Sequence, residues 1–175
     1  MKRKEILSQK NSFLSPLLEE DLTSIKNWRN EQMDVLRQNV PLTDEDQKNW
    51  FAKIQKDKQQ VIFAIISGDE LIGYCGITYI DHDNLRGEIS FVLKTGVSDE
   101  DYKMIFLEVL DMLKTYAFDI LKLHKLFTET YNFRGFHIGI LEEFGLNRDG
   151  RYKDHIFHKG KYYDSLIHSL INDRS

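Results

Sequence analysis

Glu88 is the residue whose type and position most directly suggest chemistry. It lies in the run Arg86-Gly-Glu-Ile-Ser-Phe-Val-Leu93, where alternation predicts a strand with Glu88, Ser90 and Val92 on one face. Burying a carboxylate inside a central strand costs free energy, so such a group is usually paired with another group or has a functional role. Placed in a cleft, such a group can act as a general base, directly or through a water molecule. The alternative is an exposed glutamate paired with Arg86, and the sequence leaves both interpretations open.

Four further side chains are candidates for a functional site. His137, in a predicted helix, could donate a proton near neutral pH, although a lone helical histidine is more often structural. Arg134 could contact phosphate groups or form a surface ion pair. Trp28 and Arg29 could line a substrate cleft, although core packing is the commoner role for such a tryptophan. The histidines of the C-terminal segment lack a metal-ligand spacing with an acid, so we expect no metal site.

The composition excludes several classes of protein. The chain has 175 residues, of which 41% are hydrophobic and 30% charged, as is usual for one globular domain with its own core. A net charge of −4 without a basic block argues against a nucleic-acid partner. No run approaches the roughly 18 apolar residues of a membrane span, so we expect no membrane partner and a cytoplasmic location. The single cysteine, Cys75, excludes an internal disulfide.

The residue pattern of positions 68–145 predicts strands that alternate with helices. Gly68-Asp69-Glu70 is a hairpin turn between two strands rich in β-branched and aromatic residues. Arg86 to Leu93 is a third strand, and residues 125–131 a fourth. Between them lies a long helix, capped by Ser98, whose apolar residues recur at steps of three and four: Ile105, Val109, Met112, Tyr116 and Ile120.

The sequence patterns that predict secondary structure are weaker at the two ends of the chain. We expect a flexible start through about Asn11 and then an edge strand, because Pro16 cannot donate to a central ladder. Thr43-Asp-Glu-Asp46 predicts the start of a helix through a capping box. The C-terminal segment predicts a hairpin, with turn signals at Asp149-Gly150 and Lys159-Gly160.

These features together resemble the Gcn5-related N-acetyltransferase (GNAT) family, in particular the branch that acetylates ribosomal-protein alanine and amino-sugar nucleotides. The resemblance rests on the order of elements and on three runs: Ser15-Pro-Leu-Leu-Glu-Glu-Asp-Leu22 with Trp28-Arg-Asn30, the helix ending in Phe144-Gly145-Leu146, and Gly160-Lys-Tyr-Tyr-Asp-Ser165. It implies one α/β domain over residues 1–175. Six or seven mostly antiparallel strands form a mixed sheet flanked by helices, and two strands splay apart near Phe91 and Phe127. We expect the third and fourth helices on opposite faces.

The resemblance also implies an activity and its site. The protein would move an acetyl group from acetyl-coenzyme A to a primary amine of a small molecule or peptide, such as an amino sugar-nucleotide or a protein N-terminus. Glu88 would be the base and His137 or water the acid, while Trp28 and Arg29 would bind the acceptor. A homodimer is one expected assembly, and no metal is implied. The residues implied for coenzyme binding are Phe91, Val92, Leu93, Gly96 and Arg134.

The chain departs from the family at the expected pyrophosphate loop. Aligned with the family pattern, Asp101 stands at the arginine position, and Met104 and Phe106 stand where small residues are usual. Asp99, Glu100 and Asp101 suit a helix start, but they would repel a pyrophosphate. Either Gly96 and a shifted loop hold the coenzyme, or it binds weakly, or it does not bind. The alternative function is therefore a binding or regulatory module that has lost the coenzyme site.

Overall fold

The structure, a computed structural model, describes residues 3–173. The strands are β1 Leu7–Ser8, β2 Phe13–Pro16, β3 Val61–Ser67, β4 Glu70–Asp81, β5 Arg86–Leu93, β6 Lys125–Tyr131, β7 Asn147–His158 and β8 Lys161–Ile171. The helices are α1 Leu22–Glu31, α2 Asp44–Ile54, α3 Asp99–Thr115 and α4 Gly135–Phe144, with a 3₁₀ turn at Glu19–Asp21 and a π-helical turn at Tyr116–Ile120. This mixed α/β architecture confirms the predicted fold class.

One eight-stranded sheet crosses the molecule in the order β1-β2-β3-β4-β5-β6-β8-β7, so the predicted six or seven strands were too few. All pairs are antiparallel except β5 with β6. That parallel pair holds for only three residues of each strand and ends at Glu88 and Phe127. Beyond this point the two strands separate, which confirms the predicted splay and opens a cleft in the middle of the sheet.

The helices lie on the sheet in two pairs. α3 and α4 share one core cluster, which includes Phe106 and Leu141. The residues of α1 and α2 pack in the other cluster, which includes Ile25. The prediction that α3 and α4 lie on opposite faces was therefore wrong. β5, β6 and β7 run parallel to one another. Each lies further along the sheet in the same direction, with β8 between β6 and β7. Two right-handed crossovers in the same direction place both connecting helices on the same face.

The N-terminal segment contacts the rest of the fold from Arg3 onward, where the guanidinium donates to the Asp21 carboxylate. The expected flexibility of the start of the chain stays a prediction. β1 pairs with β2, and the carboxylate of Glu108 on α3 accepts hydrogen bonds from Asn11 N at 3.0 Å and Ser12 Oγ at 2.6 Å. β2 lies between β1 and β3, so its prediction as an edge strand was wrong. Pro16 is tolerated because β1 pairs only with Phe13 and Leu14.

The C-terminal hairpin forms, but with one turn where two were predicted. Lys159 and Gly160, both with positive φ, make the turn between β7 and β8. Asp149-Gly150 lies inside β7 at an irregularity of the pairing register. The Asp149 carboxylate accepts from Lys125 Nζ and Ser169 Oγ, each at 2.6 Å, and these bonds hold the bulged residue against the sheet.

The long helix buries Ile105, Val109 and Met112 as its apolar spacing predicted. The predicted stripe ends at the π-helical turn, which changes the helical register and leaves Ile120 53% exposed. Within residues 3–173, no helix is long and apolar enough to cross a membrane.

Candidate active site

A cavity of about 330 Å³ lies where β5 and β6 separate. Its walls come from β3, β4, β5 and β6, from α3 and the start of α4, and from residues of α1, α2 and the connection between them. The sheet creates this space because the ladder between β5 and β6 ends at Glu88. Polar side chains from both separated strands, including Glu88 and Glu129, meet hydrophobic walls such as Trp50 and Phe91 there. The cavity combines an apolar interior with a few converging charged groups, as small-molecule sites do.

Glu88 lies in this cavity and is only 7% exposed. Its two carboxylate oxygens face the guanidinium of Arg37, at 2.5 Å from Nη2 and 3.2 Å from Nη1. The same Nη2 lies 3.3 Å from the carboxylate of Glu129 on β6. Arg86, the partner considered from sequence, pairs instead with Asp81. Glu88 is thus a buried and paired carboxylate beside open space, which is one arrangement that makes a charge tolerable in a central strand.

Arg37 comes from the connection between α1 and α2, residues 32–43. Asn30 organises this segment: its Oδ1 accepts from Leu42 N at 2.7 Å and from Gln38 Nε2 at 2.8 Å. Gln32 Nε2 also donates to the carbonyl oxygen of Leu93 at 2.7 Å. The segment therefore lies beside the outer part of β5 and carries Arg37 to the cavity. Sequence reasoning missed Arg37 and Glu129, because 51 and 92 residues separate Arg37 from its two partners.

His137 lines the cavity from α4 and is 8% exposed. Its ring stacks on Phe106 with centroids 4.4 Å apart, and Phe106 stacks on Phe91 at 4.3 Å. Its Nδ1 is 2.8 Å from the hydroxyl of Tyr102. Burial lowers the pKa of His137 well below its usual value, and the positive charge of Arg134 lowers it further. The neutral imidazole is therefore the form that the surroundings of this side chain favour at neutral pH.

Of the three other cationic and aromatic candidates, two reach the cavity. Arg134 lines it, and burial lowers its pKa despite the neighbouring hydroxyl of Tyr102. No carboxylate within residues 3–173 pairs with Arg134, so the alternative of a surface ion pair is not what the structure shows. Arg29 also lines the cavity, and its buried Nε has no hydrogen-bond partner among the described residues. Trp28 packs against the core cluster of α1 and α2 and is not part of the cavity wall.

The residues implied for coenzyme binding divide between two places. Phe91, Val92 and Arg134 line the cavity. Leu93 and Gly96 line a second recess of about 400 Å³ at the start of α3, together with Asp101 and the exposed Met104. Ser98 caps α3 there, accepting from Asp101 N at 3.1 Å. Phe106, at the other expected small-residue position, instead fills the cleft wall and is 1% exposed.

The geometry of the cavity suits proton transfer. A carboxylate and several hydroxyl groups converge at the open edge of β5, whereas no cluster of metal-ligating side chains occurs among residues 3–173. Glu88 and Glu129 lie on β5 and β6, whereas the residues implied for the coenzyme lie on β5, in the loop after it and just before α4. The cavity is thus bounded by the splayed strands, where two substrates could approach each other.

Comparison with known proteins agrees with this architecture. The structure superimposes on a variant form of the spermidine/spermine N-acetyltransferase SpeG from Vibrio cholerae with a TM-score of 0.82 and 18% identity, covering 94% of this chain and 95% of that one. It superimposes equally well, at 0.82 and 20% identity, on the spermidine N-acetyltransferase from Vibrio cholerae in complex with CoA and spermine, covering 92% and 95%. A dodecameric form of that enzyme gives 0.80 at 20% identity, covering 94% and 98%.

These likenesses show the fold. A search of curated protein sequences finds no significant match. The sequence profile of the acetyltransferase (GNAT) domain matches residues 14–167, which is most of the chain. The match includes every strand that borders the cavity and all four helices. The resemblance drawn from the sequence is therefore confirmed for the family, although not for the branch: the protein belongs to the GNAT acetyltransferase family and is an acetyltransferase.

Proposed function

We propose that the protein transfers the acetyl group of acetyl-coenzyme A to a primary amine, with Glu88 as the general base. The observation that carries this proposal is the position of Glu88, a buried carboxylate at the point where β5 loses its neighbouring strand. An ammonium group has no lone pair with which to attack, so a nearby carboxylate must first accept its proton. Glu88 borders open space and could receive that proton directly or through a water molecule.

The cavity fits the reactive end of the donor. Beyond Glu88, β5 has no strand beside it on the β6 side, and Phe91 and Val92 line the space that opens there. Arg134 is half-buried without a carboxylate partner among the described residues, so it could balance a phosphate charge. Acetyl-coenzyme A, when bound, supplies the activated acetyl group.

The start of α3 fits the donor's pyrophosphate poorly. Asp99, Glu100 and Asp101 all lie in the first turn of that helix, where their negative charges oppose a second anion. We therefore infer weak binding of the phosphate portion, with Arg134 rather than the acidic helix start as the main electrostatic contact.

We propose that His137 orients its neighbours instead of donating a proton. Its stacking on Phe106 and its hydrogen bond with Tyr102 join α3 to α4 at the cavity wall. The proton that the departing thiolate needs would then come from water.

The acceptors inferred from sequence were an amino sugar-nucleotide or a protein N-terminus. The Vibrio cholerae enzymes of the same fold act on spermidine and spermine, which adds polyamines as a third class of acceptor. The dodecameric form of one of these enzymes likewise supports an assembly larger than the homodimer we first expected. Light scattering of the purified protein would measure the assembly directly.

Replacing Glu88 by glutamine tests the proposed function. Gln keeps the shape and an acceptor oxygen but cannot take a proton, so we expect turnover of an accepted amine to fall about 100-fold at neutral pH. The loss should shrink at high pH, where more of the amine is already deprotonated. Steady-state kinetics between pH 6.5 and pH 9.5 measures this, with circular dichroism to check folding. Full activity of Glu88→Gln across that range would show that another group removes the proton.

A further inference from the structure

We infer that Glu88 and Glu129 form a subsite for a dicationic acceptor, and that Arg37 occupies this subsite until the acceptor displaces it. The inference rests on the proposed function, because it names the class of amine that the same cavity takes. The predicted acceptor is a diamine or longer polyamine with one ammonium group at Glu88 and a second near Glu129.

The geometry around Arg37 is that of a cation held by two acids. Nη2 lies 2.5 Å from Glu88 and 3.3 Å from Glu129, and these acids come from the two strands that separate at the cavity. Burial opposes the charge of Arg37, but the hydrogen bond and charge of Glu88, followed by the charge of Glu129, raise its pKa. The site therefore stabilises a positive charge within reach of the proposed base.

The charge balance favours a dication. With Arg37 in place, one guanidinium faces two carboxylates, and the exposed His155 lies 3.6 Å from Glu129. Arg29 and Arg134 line the same cavity, but neither pairs with these two carboxylates. If Arg37 leaves, both carboxylates lose their paired guanidinium, and a single ammonium group can replace it at only one of them. An acceptor with two ammonium groups can replace it at both, whereas a phosphorylated or carboxylated amine adds a like charge.

Arg37 can leave without disrupting the fold. Its side chain is 45% exposed, and it lies in the irregular connection between α1 and α2. That connection is anchored on either side of Arg37 by other residues, Gln32 at the end of β5 and Gln38 and Leu42 at Asn30. A change of side-chain rotamer is enough to free the two carboxylates.

Three probes of similar length test the subsite: 1,4-diaminobutane, 1-aminobutane and 4-aminobutanoate. Isothermal titration calorimetry gives their affinities in the absence of the coenzyme. We expect the diamine to bind at least about tenfold more tightly than the monoamine, because it forms a second charge-assisted hydrogen bond. We expect 4-aminobutanoate to bind most weakly of the three. Equal affinities, or tightest binding of 4-aminobutanoate, would overturn the inference.

Two variants separate the roles of the carboxylate and the guanidinium. Glu129→Gln should lower the affinity for the diamine towards that for the monoamine. Arg37→Gln should raise the affinity for the diamine about fivefold, because it removes a competing ion pair. Arg151→Gln, which removes an exposed arginine paired with Asp164 on the C-terminal hairpin, is the matched control and should change neither value. Weaker diamine binding by Arg37→Gln would mean that Arg37 holds the acceptor, and the inference would fail.

Activity assays distinguish this inference from the proposed function. If the wild-type protein acetylates the monoamine as efficiently as the diamine, only the inference fails. If it acetylates neither these amines nor a broader panel with acetyl-coenzyme A, the proposed function fails as well. Arg37→Lys, which keeps the charge but loses the paired contact, replaces Arg37→Gln if that variant does not fold. The lysine variant should bind the diamine with intermediate affinity, and an affinity below that of the wild type would overturn the inference.

Discussion

The chemistry of the cavity depends on the charge states of three side chains and on the groups around them. Glu88 is buried but paired, Arg134 is half-buried with no carboxylate paired to it among residues 3–173, and His137 is buried and neutral. The imidazole is neutral because burial and the nearby Arg134 both oppose a second positive charge. The surroundings of His137 thus favour the neutral form of a residue whose type suggests a proton donor.

The lowered pKa of His137 predicts how stability depends on pH. Below its usual pKa of 6.5, the unfolded chain takes up a proton that the folded protein does not. The free energy of unfolding therefore decreases as the pH falls from 6.5 towards the folded pKa, and this contribution is absent above 6.5. His137→Gln should lose less stability than the wild type between pH 7.5 and pH 5.5, as measured by urea denaturation.

His82, an exposed histidine between β4 and β5, offers the control for that measurement. His82→Gln should keep the wild-type difference in unfolding free energy between the two pH values. An unchanged difference in His137→Gln would mean that the acid sensitivity originates at other groups.

Among the elements, α3 has a first turn that is well stabilised but whose negative charge is unfavourable for a bound phosphate group. Ser98 caps the helix, and Asp99, Glu100 and Asp101 complement its positive end. Asp101 also accepts from the hydroxyl of Ser98 at 2.8 Å. These interactions stabilise the helix by the same charge that opposes a bound pyrophosphate.

Neutralising the two acids that do not take part in the cap should strengthen coenzyme binding. Each such charge is worth about 0.3–1 kcal/mol at an exposed helix start. For Asp99→Asn combined with Glu100→Gln, we therefore expect the affinity for coenzyme A to rise about threefold to thirtyfold. Calorimetric titration with coenzyme A measures this affinity, and Glu45→Gln in the first turn of α2 is the control. An affinity that does not change would place the phosphates away from α3.

At the scale of the whole molecule, the N-terminal segment completes the sheet and contacts α3. Asn11 and Ser12 donate three hydrogen bonds of 3.0 Å or less to Glu108, from Asn11 N, Asn11 Nδ2 and Ser12 Oγ. β1 then covers part of β2, which would otherwise be the edge strand. A single glutamate thus joins the connection between β1 and β2 to α3.

Removing that carboxylate should loosen the start of the chain. Glu108→Ala leaves its donors without their partner, which costs about 1–3 kcal/mol for a group that stays buried. We expect faster hydrogen exchange in residues 6–16, measured by mass spectrometry, and little change in β5 and β6. Glu143→Ala on the exposed side of α4 should not affect those residues. Exchange as slow as in the wild type would show that β1 is held by its strand pairing alone.

The sequence by itself determined the local structure, because local structure depends on neighbouring residues. Residues that favour strands predicted β3, β4 and β6, and alternation predicted the two faces of β5. The capping residues Thr43 and Ser98 predicted the starts of α2 and α3, and Gly68 and Lys159-Gly160 marked turns that the structure contains. The motif pattern was also sufficient to identify the family. It placed Glu88 on a central strand beside the splay, where the cavity lies.

Only the tertiary structure decided which distant groups meet. The pairing of Arg37 with Glu88 and Glu129 joins parts of the chain that share no local pattern. The handedness of two successive crossovers placed α3 and α4 on the same face, and their contact buried His137 against Phe106. Burial and neighbouring charge, which set the state of a titratable group, are properties of the packed molecule. For this reason, the residue types could nominate a base and an acid, but the fold determined that His137 is neutral and that Glu88 already holds a cation.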